Sequence, residues 1–228
     1  MKVFITRDIK ETDFFKTALK EVGFAVFGQS LIEFSAVPFG LDTDFDWLFF
    51  YSKNGIRFFF NQLTGNDASI ISNKKIGAIG KGTAQFLKRY YQYEADFVGN
   101  GEPLETARAF AQIAVGTRVI FPRARTSQKS IQEQLSNIVT AIDLVTYENQ
   151  PKTDVSIPNA DILVMTSPLN TRTYFNQHPL IAGQQVIAIG NTTATQLRQL
   201  GIQDFVIAKQ PTEKGLVDAV ISIASKPD

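Results

Sequence analysis

Short apolar runs alternate along the chain with stretches in which apolar residues return every three or four positions. Val3, Phe4 and Ile5 form the first run, the pattern of a short buried strand. Phe14, Phe15, Ala18, Leu19 and Val22 then fall on one face of a 3.6-residue period, which predicts a helix. Gly23 follows where a helix end favours glycine. Trp47 to Tyr51 predicts another strand, followed by a helix through Phe58, Phe59 and Phe60. Ile76 to Ile79 predicts a third, with Thr83 opening a helix that carries Phe86, Leu87 and Tyr90. Leu104, Ala107, Ala111 and Ala114 mark a further helical stripe.

The second half repeats the alternation. Val119 to Phe121, Ile162 to Met165 and Val186 to Ile189 read as strands. Ile131 to Leu135 reads as a helix, and the last helix carries Leu216, Val217, Val220, Ile221 and Ala224. Strands alternating with helices predict an α/β fold with parallel sheets flanked by helices. Two long β-prone segments, 24–39 and 138–152, interrupt the alternation at the same point of each half. They read as connections crossing between two domains.

Three blocks recur in order. "KVFITR" at Lys2 matches "RVIFPR" at Arg118, "DWLFFYSKNGIRFFFNQ" at Asp46 matches "DILVMTSPLNTRTYFNQ" at Asp161, and "AIGKGTAQFL" at Ala78 matches "AIGNTTATQL" at Ala188. Their offsets of 116, 115 and 110 residues are too long for a solenoid repeat. The chain is a duplication, and 228 residues suit two domains of about 110.

Composition then removes whole classes of chemistry. With no cysteine there is no disulfide, thiolate nucleophile or zinc–cysteine site. His178 is the sole histidine. It reads as a surface residue at a helix end and cannot build a multi-histidine metal site. A net charge of +1 gives no general attraction to nucleic acid or membrane. No apolar run approaches the roughly 20 residues of a membrane span. "MKVFITRDIK" is not a signal sequence, so a cytoplasmic protein is expected.

The repeated turns "AIGKGTA" and "AIGNTTA", with "YSKNG" and "TSPLN", each deliver small polar residues from a strand end to a helix start. Strand carboxyl ends are where open parallel sheets bind ligands, and helix starts favour anions. A turn plus an N-cap is the plainer reading of any single copy. Neither a nucleotide loop nor a dinucleotide fingerprint is present.

At these residues the chain resembles the uroporphyrinogen-III synthase family. The resemblance runs over the whole length, through "VFITR", "YSKNGI", "TSPLN", the two "AIG" turns, "VTYEN" and "PTEKGLVDAV". It implies two similar α/β domains joined by a two-stranded β-ladder, with the active site in the cleft between them. By that resemblance one domain combines residues 1–36 and 152–228, the other spans 39–148, and the two interrupting segments form the ladder. Thr83 and Thr193 would then stand on different domains and face one cleft.

The implied reaction is cyclisation of hydroxymethylbilane, a linear tetrapyrrole, to uroporphyrinogen III. Water is lost and ring D inverted through an azafulvene and a spirocyclic pyrrolenine. No cofactor or metal is implied. A handover of substrate from porphobilinogen deaminase and a monomeric state are expected. Because the unassisted bilane closes without inversion, the enzyme chiefly fixes geometry.

Carried over residue by residue, Tyr147 matches the family's cleft tyrosine and is the expected general acid for the departing hydroxyl. A purely packed aromatic on the crossover strand is the other reading. Thr83, Thr192, Thr193, Ser52, Asn54 and Ser167 are expected to bind substrate carboxylates. Arg7 and Arg123, ending matched strands, are expected to offer bidentate contacts. Arg123 and Arg125 alternatively form a solvated face. Tyr51 opposite Thr166, and Leu169 and Asn170, depart from the family pattern and leave side-chain contacts there open. Two other functions stay open: a non-catalytic two-domain protein binding a small anionic ligand, and a nucleotide-sugar transferase.

Overall fold

The computed structural model describes residues 1–65, 67–153 and 155–225. The order is β1 (Lys2–Ile5), α1 (Phe14–Glu21), β2 (Ala25–Gly28), β3 (Ile32–Ala36), β4 (Trp47–Phe50) and α2 (Lys53–Phe60). Then come α3 (Asp67–Ile71), β5 (Lys75–Ala78), α4 (Lys81–Tyr91), β6 (Phe97–Val98), α5 (Pro103–Ala114), β7 (Arg118–Ala124) and α6 (Ser130–Leu135). The chain continues through β8 (Thr140–Pro151), β9 (Ile162–Met165), α7 (Pro168–Gln177), β10 (Gln185–Ala188), α8 (Asn191–Gln199), β11 (Val206–Ile207) and α9 (Glu213–Ala224).

These elements form two compact units, Met1–Glu33 with Gln150–Asp228, and Phe34–Asn149. Their sheets run β11-β10-β9-β1-β2 and β3-β8-β7-β4-β5-β6. The repeated blocks make β7, β4 and β5 the counterparts of β1, β9 and β10. Read as β6-β5-β4-β7-β8, the second sheet has the strand order of the first. Each sheet therefore draws strands from both copies of the duplication.

In the first unit, β1 pairs in parallel with both β2 and β9. Phe15 and Leu19 of α1, with Leu216, Val217 and Val220 of α9, pack on Val3, Ile5, Ile162 and Val164. Phe4, Leu163 and Met165 point the other way, to Tyr174 of α7 and Leu197 of α8. Successive strand residues supply both faces, which is why these strands read as unbroken apolar runs. In the second unit Trp47, Phe49, Val119 and Phe121 meet α5 and α6 through Phe110, Ile131 and Leu135. Leu48, Phe50, Ile76 and Ile120 meet α2 and α4 through Ile56, Phe59 and Leu87.

The structure corrects several expectations. The segment 24–39 is not one crossing strand: β2 is the edge strand of the first unit's sheet, parallel to β1, and only β3 pairs with β8. Val37 N donates to Thr146 O at 3.0 Å and Lys152 N to Leu31 O at 2.8 Å, so β3 and β8 run antiparallel. Phe14 and Val22 are 51% and 56% exposed. Phe14 sits about 100° around the helix from Phe15, and Val22 lies beyond the last helical residue. Gly23 does end α1, at φ 87°. Tyr90 and Leu104 are exposed, and Phe110, absent from the predicted stripe, is buried in α5 together with the predicted Ala107 and Ala114. His178 is half-buried rather than a surface residue, with Nε2 enclosed at the end of α7 beside Tyr174.

Candidate active site

In the second unit the order of strands reverses between β4 and β7: β4 leads outward to β5 and β6, β7 the opposite way to β8. Ligands of open parallel sheets bind beside the carboxyl ends of strands at such a reversal. Here a cavity of about 200 Å³ is lined by Tyr51, Ser52, Ile79, Arg123, Ser127 and Tyr147, among others. A larger one of about 580 Å³, sharing Ile79, is lined by Lys53, Gly80, Lys81, Gly82, Thr83, Asn100 and Gly101.

Tyr147 reaches the first cavity through a change of register. Along β7 and β8, Arg123 pairs with Val145 but Ala124 pairs with Tyr147, so Thr146 is an extra residue. Before this bulge Asp143 faces α6, where it meets Lys129 and Gln132. Ile142 and Leu144 face the core under α2 and α4. Unbroken alternation would carry Tyr147 to the side of Asp143. After the bulge its ring instead stacks on Phe58 of α2, centroids 4.9 Å and planes 14° apart. Bulges re-aim side chains in this way.

The Tyr147 side chain is 7% exposed. Its burial pushes the phenol above the usual tyrosine range, opposed in part by the Ser52 hydroxyl. The phenol therefore stays protonated at neutral pH. Ser52 Oγ lies 3.4 Å from Tyr147 Oη, longer than an ordinary O–H···O bond, so the bond between the two hydroxyls is weak in either direction. Ser52 also caps α2, accepting from Gly55 N at 3.0 Å. A hydroxyl that accepts at a cap retains its own O–H to donate.

Thr83 does not open α4. Gly80 is the N-cap, in extended conformation, and Thr83 is the third helical residue, nearly buried at the wall of the larger cavity. A side chain on Gly80 would press on the Gly101 backbone at 3.0 Å, so the turn needs glycine for close backbone packing. Lys53 and Lys81 line this cavity and make none of the ion pairs among the described residues. The sequence reading missed both lysines. Their place just inside a helix start, directly after the "YS" and "IG" turns, was the available signal.

Arg123 overturns its expectation. Both a solvated face and a free bidentate fork are excluded, because the side chain is 8% exposed. Nε and Nη2 donate to the two Asp143 oxygens at 2.8 Å each, and Nη1 donates to Ala124 O and Arg125 O. A buried guanidinium requires such saturation. Asn54, half-buried in the first turn of α2, lines neither cavity.

The first unit holds the other expected residues. Ser167 caps α7 and accepts from Asn170 N at 3.3 Å. Thr193 is the third residue of α8, buried, with Oγ1 unpartnered. Thr192 beside it is exposed. Arg7 pairs with Glu213, the first residue of α9. Among the described residues no group of three or more histidine or carboxylate side chains is placed to hold a metal ion. Nor is any helix long and apolar enough to cross a membrane.

Comparison with known proteins decides the family. The family described as uroporphyrinogen-III synthase HemD matches residues 13–218. The chain belongs to this family. A Methanocaldococcus jannaschii protein assigned as a uroporphyrinogen-III synthase is 27% identical, covering 99% of this chain and all of its own. The uroporphyrinogen-III synthase of Chlorobaculum parvum is also 27% identical, over 72% of this chain and 74% of its own. The crystal structure of uroporphyrinogen-III synthetase from Helicobacter pylori superposes with a TM-score of 0.77 at 21% identity. The match covers 97% of this chain and 99% of that one. That likeness establishes a shared α/β fold for this synthase-family chain.

Proposed function

We infer that this chain is a uroporphyrinogen-III synthase, a cyclising lyase that closes hydroxymethylbilane with inversion of ring D and loss of water. The observation that carries the reading is the family match along residues 13–218. The substrate is a small linear tetrapyrrole bearing eight carboxylates.

Tyr147 is the residue we assign to the departing hydroxyl. The phenol gives its proton as the carbon–oxygen bond breaks, releasing water and leaving an azafulvene that keeps its nitrogen-bound hydrogen and so carries a positive charge. Ring D then attacks through its substituted carbon, and the spirocyclic intermediate fragments and recloses. The pyrrole carbon that closes the ring gives up its hydrogen, and that proton restores the phenol. A protonated, weakly bonded hydroxyl at a strand-order reversal supports this role.

Thr83, Lys53 and Lys81 receive carboxylates in the second unit, through two ammonium groups and the start of α4. Ser52 adds a hydroxyl from the start of α2, whereas Asn54, off both cavity walls, is left without a ligand role. In the first unit Thr192, Thr193 and Ser167 serve other carboxylates, while Arg7 is held by Glu213. Arg123 supports the wall rather than the ligand. We further propose that the protein is a cytoplasmic monomer, takes its substrate from porphobilinogen deaminase and needs no cofactor.

The test couples the protein to porphobilinogen deaminase and porphobilinogen, then separates the oxidised products by isomer. The type III isomer is expected. Type I alone, with an active deaminase, overturns the reading. Tyr147→Phe is expected to lower turnover by about a hundredfold or more.

A further inference from the structure

The repeated "FNQ" that closes the longest block of the duplication has no part in the site so far. Its two glutamines have different fates. Gln177 is the last residue of α7 and is exposed. Gln62 follows the end of α2 and is half-buried. Its Nε2 donates to Phe58 O at 2.7 Å and to Thr146 O at 2.9 Å. Both partners are carbonyls, so the amide can present only its nitrogen there.

These two acceptors belong to the neighbours of the proposed proton donor. Phe58 carries the ring stacked on Tyr147. Thr146 is the extra residue of the bulge that places Tyr147 on that ring. The Thr146 carbonyl takes one bond from Val37 N, just past the end of β3, and one from Gln62. One side chain thus ties the helix carrying the stacking ring to the strand irregularity carrying the tyrosine. In the first unit β2 pairs with β1 without a register shift, and the matching glutamine faces solvent.

We propose that Gln62 is a positioning residue for Tyr147, holding the bulge and the Phe58 ring in the one arrangement that aims the phenol at the reacting centre. This rests on the role given to Tyr147 above. Gln62 lines neither cavity, so its effect reaches turnover through Tyr147 and leaves substrate affinity nearly unchanged.

A double-mutant cycle in the coupled assay tests this. Gln62→Met keeps the length and removes both donors. It is expected to lower kcat about tenfold or more, with KM within about twofold, and to raise the type I fraction. In a Tyr147→Phe background the same change is expected to cost no more than about twofold further. Gln62→Lys, whose ammonium reaches both carbonyls, is expected to restore most of kcat. In protein labelled with 3-fluorotyrosine, the fluorine resonance missing from Tyr147→Phe is expected to shift in Gln62→Met and return in Gln62→Lys. An unmoved resonance, an unchanged kcat, or losses that multiply in the double variant overturn the proposal and leave Tyr147 in place. Wild-type turnover in Tyr147→Phe removes Tyr147 from the reaction, and the positioning role falls with it.

Discussion

Asp143 occupies the whole guanidinium fork of Arg123, taking Nε on one oxygen and Nη2 on the other at 2.8 Å each. The pair joins β7 to β8 beside the cavity lined by Tyr147. Asp143→Asn leaves a buried cation without its counter-charge. Breaking a fully buried pair costs about 3–5 kcal/mol. Asp143 keeps 31% of its side chain exposed, so the expected loss is about 2–3 kcal/mol. Urea unfolding followed by circular dichroism measures it, and a shift below about 0.5 kcal/mol would assign the pair no structural weight.

The same pair sets an acid limit. The Arg123 guanidinium, chiefly, holds the Asp143 carboxyl well below the usual carboxylate range. A depressed folded pKa gives stability that is complete above the unfolded value, about 3.9, and is lost as pH falls toward the folded one. The difference between wild type and Asp143→Asn is therefore expected to be full at pH 7 and to shrink below about pH 4. Unfolding midpoints at pH 7, 4 and 3 check the direction, and a constant gap would contradict it.

Ser52 serves both a helix and a phenol. Ser52→Ala removes the cap of α2, at a cost of about 1 kcal/mol, together with the contact to Tyr147. Ser52→Asp keeps a capping acceptor but brings a negative charge beside the phenol, which makes proton donation harder. The expected order of turnover is wild type, Ser52→Ala, Ser52→Asp, while the order of thermal stability places Ser52→Asp above Ser52→Ala. Parallel orders would mean that Ser52 acts on folding alone.

Two glycines near the larger cavity are expected to respond oppositely to a methyl group. At Gly99 it would lie 2.4 Å from Thr106 and 2.5 Å from Ile79 O. Gly99→Ala is therefore expected to cost about 1–3 kcal/mol and to displace the turn at Gly80. At Gly82, within α4, it meets nothing within 4 Å, and Gly82→Ala is expected to gain about 0.4–1 kcal/mol. Thermal unfolding of the two variants gives the signs.

Lys53→Met and Lys81→Met remove positive charge from that cavity wall. Each is expected to raise KM about tenfold, the worth of one hydrogen bond to a charged group, with kcat little changed. The effect is expected to weaken as salt screens the wild-type attraction. Unaltered KM in both variants would move carboxylate binding elsewhere.

Much of this protein was legible before any coordinates. Apolar runs such as Ile162 to Met165 locate strands because a strand buried on both faces needs no polar alternation. The duplicated blocks led to matched sheets for the same reason. Helix faces were less secure. Phe14 is exposed despite its place in the apolar period, because a short helix such as α1 buries only what its neighbours cover. The lysines at positions 53 and 81 were passed over because surface lysine is the commonest fate of that residue.

Order along the chain by itself determined the α/β class, the duplication, the turns at strand ends and the family, since each depends on local period and spacing. Tertiary structure alone decided which side chains remain free to act. Arg123 and Arg7 end matched strands, yet one is saturated by Asp143 and the other paired with Glu213. Tyr147 stands on the α2 side of its sheet because one extra residue, Thr146, reverses the alternation. A bulge and a buried ion pair are made by partners distant in sequence, so no local pattern announces them.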